Sequence, residues 1–194
     1  MRKAGAGLLT AVAVLVSAAA AFAQEKLQEK LKVVYGLSIP DRVGSLVYDR
    51  SVDFESKSPG LGYALRFGGR PGWMVDVYFY DLGLKSIPAD AESSVVRDQL
   101  SRARGDVFEL GERGTYNGVT DRGDFAVPAS GKPSFICSSF SYLRGDRTDV
   151  HVESYLCLSS WNDNFVKVRM TAPTGTLSRS DVTDFVQAWI ELLR

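Results

Sequence analysis

Two cysteines, Cys137 and Cys157, and a single histidine, His151, bound the chemistry open to this chain of 194 residues. A thiolate nucleophile needs a histidine base within hydrogen-bond reach. His151 and Cys157 stand six positions apart on one alternating segment, about 20 Å at ~3.3 Å per residue. They cannot form a nucleophile–base pair. Zinc sites take three or four Cys, His or carboxylate ligands at short spacings, which one histidine cannot anchor. The sequence holds no CxxC, EF-hand loop, GxSxG, Walker loop or GxGxxG after a strand. No catalytic residue, metal ligand or cofactor is assigned. A carboxylate pair assembled only by the fold, as in an envelope hydrolase, is the enzymatic alternative.

The cysteines have a better use. If Arg144 pairs with Val150 across a hairpin, Cys137 falls opposite Cys157, Ile136 opposite Leu158 and Tyr142 opposite Val152. Opposed Cα atoms in antiparallel strands are about 4.5 to 5.5 Å apart, within the span of a disulfide. An oxidising compartment favours the bond, and closing a loop of about 20 residues contributes roughly 3 kcal/mol. A Cys137–Cys157 bridge is expected.

Polar residues on alternating segments supply the binding candidates. Arg66, Asp76, Tyr78 and Tyr80 point outward from one expected hairpin, and His151, Glu153, Tyr155, Lys167 and Arg169 are expected to share an outward face on later strands. Tyrosine amid mixed charge is common at interaction surfaces. Arg66, Tyr78, Tyr80, Tyr155, Lys167 and Arg169 are therefore the candidate binding residues. The competing reading is a solvated or helix-covered face with cross-strand ion pairs. Three Arg-Gly-Asp tripeptides begin at Arg104, Arg122 and Arg144; only the third falls at a hairpin tip, where an adhesion ligand would have to sit. Gly and Asp gather in turns for conformational reasons alone.

The elements that must carry these residues are legible from periodicity. Leu27, Leu31 and Val34 suggest a short amphipathic helix over 24–35. Val43 to Phe54 alternates, with Leu46, Tyr48, Val52 and Phe54 on one side. Tyr63, Leu65 and Phe67, then a Gly68–Gly72 turn, then Trp73, Val75, Val77 and Phe79 form a hairpin with one apolar face. Val96, Leu100, Ala103, Val107 and Leu110 repeat at helical spacing, with Gly105 a point where the helix could end or bend. A strand near 116–127 and three clearer ones follow, at 136–142, 150–158 and 166–170. Ser178 and Asp181 then open a closing helix that buries Val182, Phe185, Val186, Trp189 and Leu193. This order predicts an α+β domain with a mainly antiparallel sheet of about six to seven strands and two packed amphipathic helices.

With 45% hydrophobic and 24% charged residues, and 23 basic against 23 acidic side chains, the composition is that of a globular domain. The absence of a basic excess argues against nucleic acid as a partner. Arg2 and Lys3, an uncharged stretch from Ala4 to Ala21, and Ala21-Phe22-Ala23 make the three parts of a secretory signal cleaved after Ala23. The stretch is too diluted with Ala and Gly for a membrane anchor, and nothing after it resembles a transmembrane segment. The remaining 24–194 reads as one domain of 171 residues in the periplasm or outside the cell. Its expected partner is a protein or small ligand of the cell envelope.

The succession of three strands, a helix, about four strands and a final helix resembles the PsbP-like fold. Pro59-Gly60-Leu61-Gly62-Tyr63 and Tyr80-Asp81-Leu82-Gly83 resemble an uncharacterised family of exported bacterial proteins. The first resemblance implies a fold; neither implies an activity or a site residue. Together with the polar face, these features lead to an exported, non-enzymatic binding or assembly module.

Overall fold

A computed structural model describes residues 30–128, 130–145 and 147–194. The expected secretory signal and residues 24–29 of the expected first helix lie outside the described residues. The part of that helix that is described is not helical. Val33–Val34 (β1) pairs with Leu37–Ser38 (β2), and Tyr35 and Gly36 between them take φ values of 49° and 87°. Two left-handed residues make the tight hairpin turn whose twist suits the flanking strands, and this overrides the helical spacing.

The remaining strands are β3 (Arg42–Val43), β4 (Leu46–Asp53), β5 (Tyr63–Gly68), β6 (Met74–Tyr80), β7 (Tyr116–Val127), β8 (Phe135–Arg144), β9 (Arg147–Trp161) and β10 (Asn164–Pro173). They form one antiparallel eight-stranded sheet in the order β3-β4-β5-β6-β10-β9-β8-β7. Helix α1 (Ser94–Glu112) and helix α2 (Arg179–Leu192) complete an α+β domain. The sheet is thus larger than the six to seven strands expected.

Helix α2 packs on one face. Its Val182, Phe185, Val186 and Trp189 meet Leu65, Phe67, Val75, Val77 and Phe79, with Val166, Val168 and Met170 completing this core. The Trp189 ring lies 5.9 Å from Phe67 and 5.7 Å from Phe79, the geometry of edge and tilted aromatic pairs. The helix starts with the anticipated capping box between Ser178 and Asp181. Helix α1 covers part of the opposite face with Val96, Leu100, Ala103 and Val107, against Tyr80, Phe140, Leu156, Leu158 and Phe165. It continues past Gly105, and Leu110 is only half-buried.

Two local irregularities depart from simple alternation. A bulge between Tyr48 and Arg50 on β4 switches the parity of the strand, burying Ser51. Val52 therefore leaves the face of Leu46 and Tyr48, and Phe54 lies beyond the strand, exposed. An extra residue on one strand does this to every side chain after it. The two glycine-containing phrases meet directly: Leu82 N–H donates to Gly60 C=O at 2.8 Å, and a Cβ on Gly62 would lie 1.8 Å from the Phe79 carbonyl oxygen. Only glycine permits that approach.

The β8–β9 register pairs Cys137 with Cys157, Ile136 with Leu158 and Tyr142 with Val152, as the sequence indicated. At the tip a bulge sets Arg144 opposite Arg147 instead of Val150. Cys137 and Cys157 form a disulfide within the α2-side core, with their Cα atoms 4.0 Å apart. Replacing both with serine should lower unfolding stability by about 3 kcal/mol, read as a lower urea midpoint with native circular dichroism retained. An unchanged midpoint would remove the bridge from the account of stability.

Candidate functional site

The face under α1 changes character along the strands. Where the helix covers it, β6, β10 and β9 present Tyr80, Phe165 and Leu158. Moving away from the helix along β10, the same face presents Lys167, Arg169 and Thr171. Their cross-strand neighbours on β6 are Tyr78 and Asp76, with Met74 opposite Thr171. Arg66 joins from β5, directly opposite Asp76. Alternation along paired strands makes this grouping unavoidable once the register is set.

Arg66, Met74, Asp76, Tyr78, Arg169 and Thr171 line an open groove of about 400 Å³, with Tyr116 and Tyr142 as its far wall. The two tyrosine rings stack with centroids 4.1 Å apart. Gly145 holds that wall in place, because its N–H donates to Thr115 C=O at 2.8 Å and a Cβ there would lie 2.4 Å from the Gly114 carbonyl oxygen. The tip of the β8–β9 hairpin is thereby locked against the turn entering β7.

The charged groups are held in different ways. Arg66 grips Asp76 with both arms, Nε to Oδ1 at 2.7 Å and Nη2 to Oδ2 at 2.9 Å. Such a fork fixes both partners. Donating hydrogen bonds to the Asp76 carboxylate raises the Arg66 pKa further above its already high value. Arg169 makes no carboxylate contact among the described residues. Its Nε donates to Ser154 Oγ and its Nη2 to Tyr142 Oη, both at 3.3 Å, and its guanidinium carbon is 5.9 Å from the Tyr116 ring. Ser154 is further tied to Thr171 at 2.8 Å. Arg144 reaches Met74 Sδ at 3.6 Å from the rim.

Lys167 sits between groove and helix. Its Nζ lies 4.5 Å from the Tyr78 ring centroid and 5.3 Å from that of Tyr80, a double cation–π contact. Burial, then the neighbouring Arg169 charge, lowers its pKa to about 8. Burial pushes the Tyr78 phenol up to about 12, with Asp76 adding to the shift. The Tyr80 phenol also rises to about 12 through burial, opposed by its hydrogen bond from Gln99.

Five of the six expected binding residues thus gather on one face: Arg66, Tyr78 and Arg169 line the groove, and Tyr80 and Lys167 support it. Tyr155 does not join them. It pairs with Met170, whose side chain belongs to the α2-side core, and its ring packs edge-on against Phe125 at 6.1 Å. The shared outward face expected for Tyr155, Lys167 and Arg169 is corrected here: Lys167 and Arg169 stand beside Leu158 and Leu156, not beside Tyr155. Tyr116 and Tyr142 were missed as site residues; Tyr142 reads as an ordinary core position by its alternation.

Two other features reduce to structure. Arg104 spans Asp121 at 2.5 Å and Asp124 at 2.7 Å, so the first two Arg-Gly-Asp tripeptides are tied together by an ion pair. Asp146 of the third lies outside the described residues. Among the described residues no group of three or more His, Cys, Asp or Glu could hold a metal ion, and no helix is long and apolar enough to cross a membrane.

The chain matches no protein-family model, and no curated protein shows significant similarity to it. Among solved structures it is similar to a point mutant of protein Mog1, at 11% identity and TM-score 0.38, over 86% of this chain and 90% of that one. The Saccharomyces cerevisiae Ran-binding protein Mog1p is similar at 12% identity and TM-score 0.37, over 86% and 91%. Likenesses this distant carry no argument about activity.

The depressed Lys167 pKa has a signed consequence. Unfolded lysine, near 10.5, binds more protons than the folded group between about pH 8 and 10.5, so this group's contribution to stability rises with pH across that window. The urea midpoint should climb from about pH 8 toward about pH 9 in the natural protein and stay flat over that range in Lys167→Met. Above about pH 10 the raised tyrosines reverse the trend, because the unfolded phenols ionise first. Identical profiles for the two proteins would show that Lys167 is not held in a desolvated place.

Proposed function

We propose that the chain is an exported, non-enzymatic binding or assembly module of the bacterial cell envelope, and that the Arg66–Tyr78–Arg169 groove is its capture site. The observation that carries this reading is the gathering of three guanidinium groups, one carboxylate and three tyrosines on a face otherwise covered by α1. Arginine and tyrosine are the residues enriched at binding hot spots, since each combines area with directional polar groups. Asp76 is committed to both arms of Arg66, which suits fixing charge more than moving protons. Export is supported by the secretory signal, with cleavage after Ala23, and by the Cys137–Cys157 bridge, since disulfides persist in oxidising compartments. The order of strands and helices further supports a PsbP-like frame carrying this site, in the uncharacterised exported family suggested by the two glycine phrases.

Native mass spectrometry of protein exported by its own signal tests the reading. The natural protein should carry extra mass that leaves only on denaturation. The Arg169→Ala/Tyr116→Ala double variant should lose it, whereas Tyr155→Ala, altered on the other face, should keep it. Extra mass retained in full by the double variant would overturn the groove assignment.

A further inference from the structure

Resting on the groove being the capture site, we infer that its ligand is a small organic dianion, bearing carboxylate or phosphate oxygens on a flat carbon frame. The charge balance points this way. Arg66 and Arg169 line the groove against Asp76, its only carboxylate among the described residues, and Lys167 stands behind the tyrosines, so two positive charges remain after Asp76 is counted. Arg66 and Asp76 neutralise one another through their fork, but Arg66 uses only Nε and Nη2 there. Arg169 is the group that demands an anion. Its two hydrogen bonds go to neutral hydroxyls at 3.3 Å, longer than a charge-assisted bond of about 2.7 to 2.9 Å. Ser154 and Tyr142 aim its planar fork without spending its charge. Lys167, cationic below about pH 8, adds to the positive potential from behind the tyrosines.

The walls define the rest of the ligand. Stacked Tyr116 and Tyr142, together with Tyr78, offer flat apolar surface beside the cations. A volume of about 400 Å³ falls in the range of small-molecule sites. Cations grouped in a partly desolvated cleft also concentrate field there, which raises both affinity and encounter rate for an anion.

The experiment is an amide chemical-shift titration of the full exported protein with phthalate, with its uncharged diamide, and with phenyl phosphate. Phthalate or phenyl phosphate should give saturable shifts at Tyr78, Tyr116 and Arg169, with binding at least tenfold tighter than the diamide and weakened by added salt. Whichever dianion binds more tightly assigns carboxylate or phosphate monoester as the chemistry. Arg169→Gln should weaken that binding at least tenfold. Arg169→Lys, which keeps the charge but not the fork, should weaken it by less and serves if the glutamine variant does not fold. Equal binding of the diamide would overturn the dianion assignment while leaving a groove that binds. Shifts with neither dianion would also overturn it, and the mass-spectrometric comparison above decides separately whether the groove is a capture site at all.

Discussion

Everything distinctive about this molecule depends on the register of β10 between β6 and β9. That strand is central, so both of its faces meet other residues, and each residue slip would exchange the two sets. Its even positions, Val166, Val168 and Met170, seal the core beneath α2. Its odd positions, Phe165, Lys167 and Arg169, run out from under α1 into the groove. One strand therefore builds a core on one side and the polar groove on the other.

The arrangement has an energetic logic. Placing a lysine and an arginine on a largely covered sheet face costs desolvation free energy, which must be offset by specific partners. Lys167 meets two tyrosine rings, and Arg169 meets two hydroxyls that are themselves hydrogen-bonded or stacked. Arg66 and Asp76 satisfy one another across a directly opposed pair. The three cations near the centre are thus immobilised by three different means. Arg169 meets neutral hydroxyls where Arg66 meets a carboxylate, and this sets the two guanidinium groups apart. Stability away from the groove comes from the α2-side aromatic cluster and the cross-strand disulfide, so the polar face need not hold the sheet together.

Local pairing was legible in the sequence, and long-range facing was not. The β5–β6 hairpin and the cysteine register follow from the parity of residues close in the chain, such as Leu65 with Val77 and Cys137 with Cys157. The helices follow from stripes like Val96, Leu100 and Ala103. The β4 bulge carries no residue signal strong enough to announce it, so Val52 and Phe54 were expected on the wrong side. The misplacement of Tyr155 has a more general cause. Reading one apolar face per strand suits a sheet with helices on one side only. Here helices pack on both sides, so β9 is apolar on both, with Leu156 facing α1 and Cys157 facing α2. Alternation alone cannot then say which set of β9 joins Lys167 and Arg169. That depends on the β9–β10 turn, where Asn162 and Asp163 both adopt positive φ and place Trp161 opposite Asn164.

The most direct test is an experimental structure of the protein, isolated from its native source, with whatever component stays bound through purification. This component should contact the Arg169 guanidinium and the Tyr116 ring, within the groove beyond α1. A component seated instead on the α2 side, beside Tyr155 and Phe125, would contradict it.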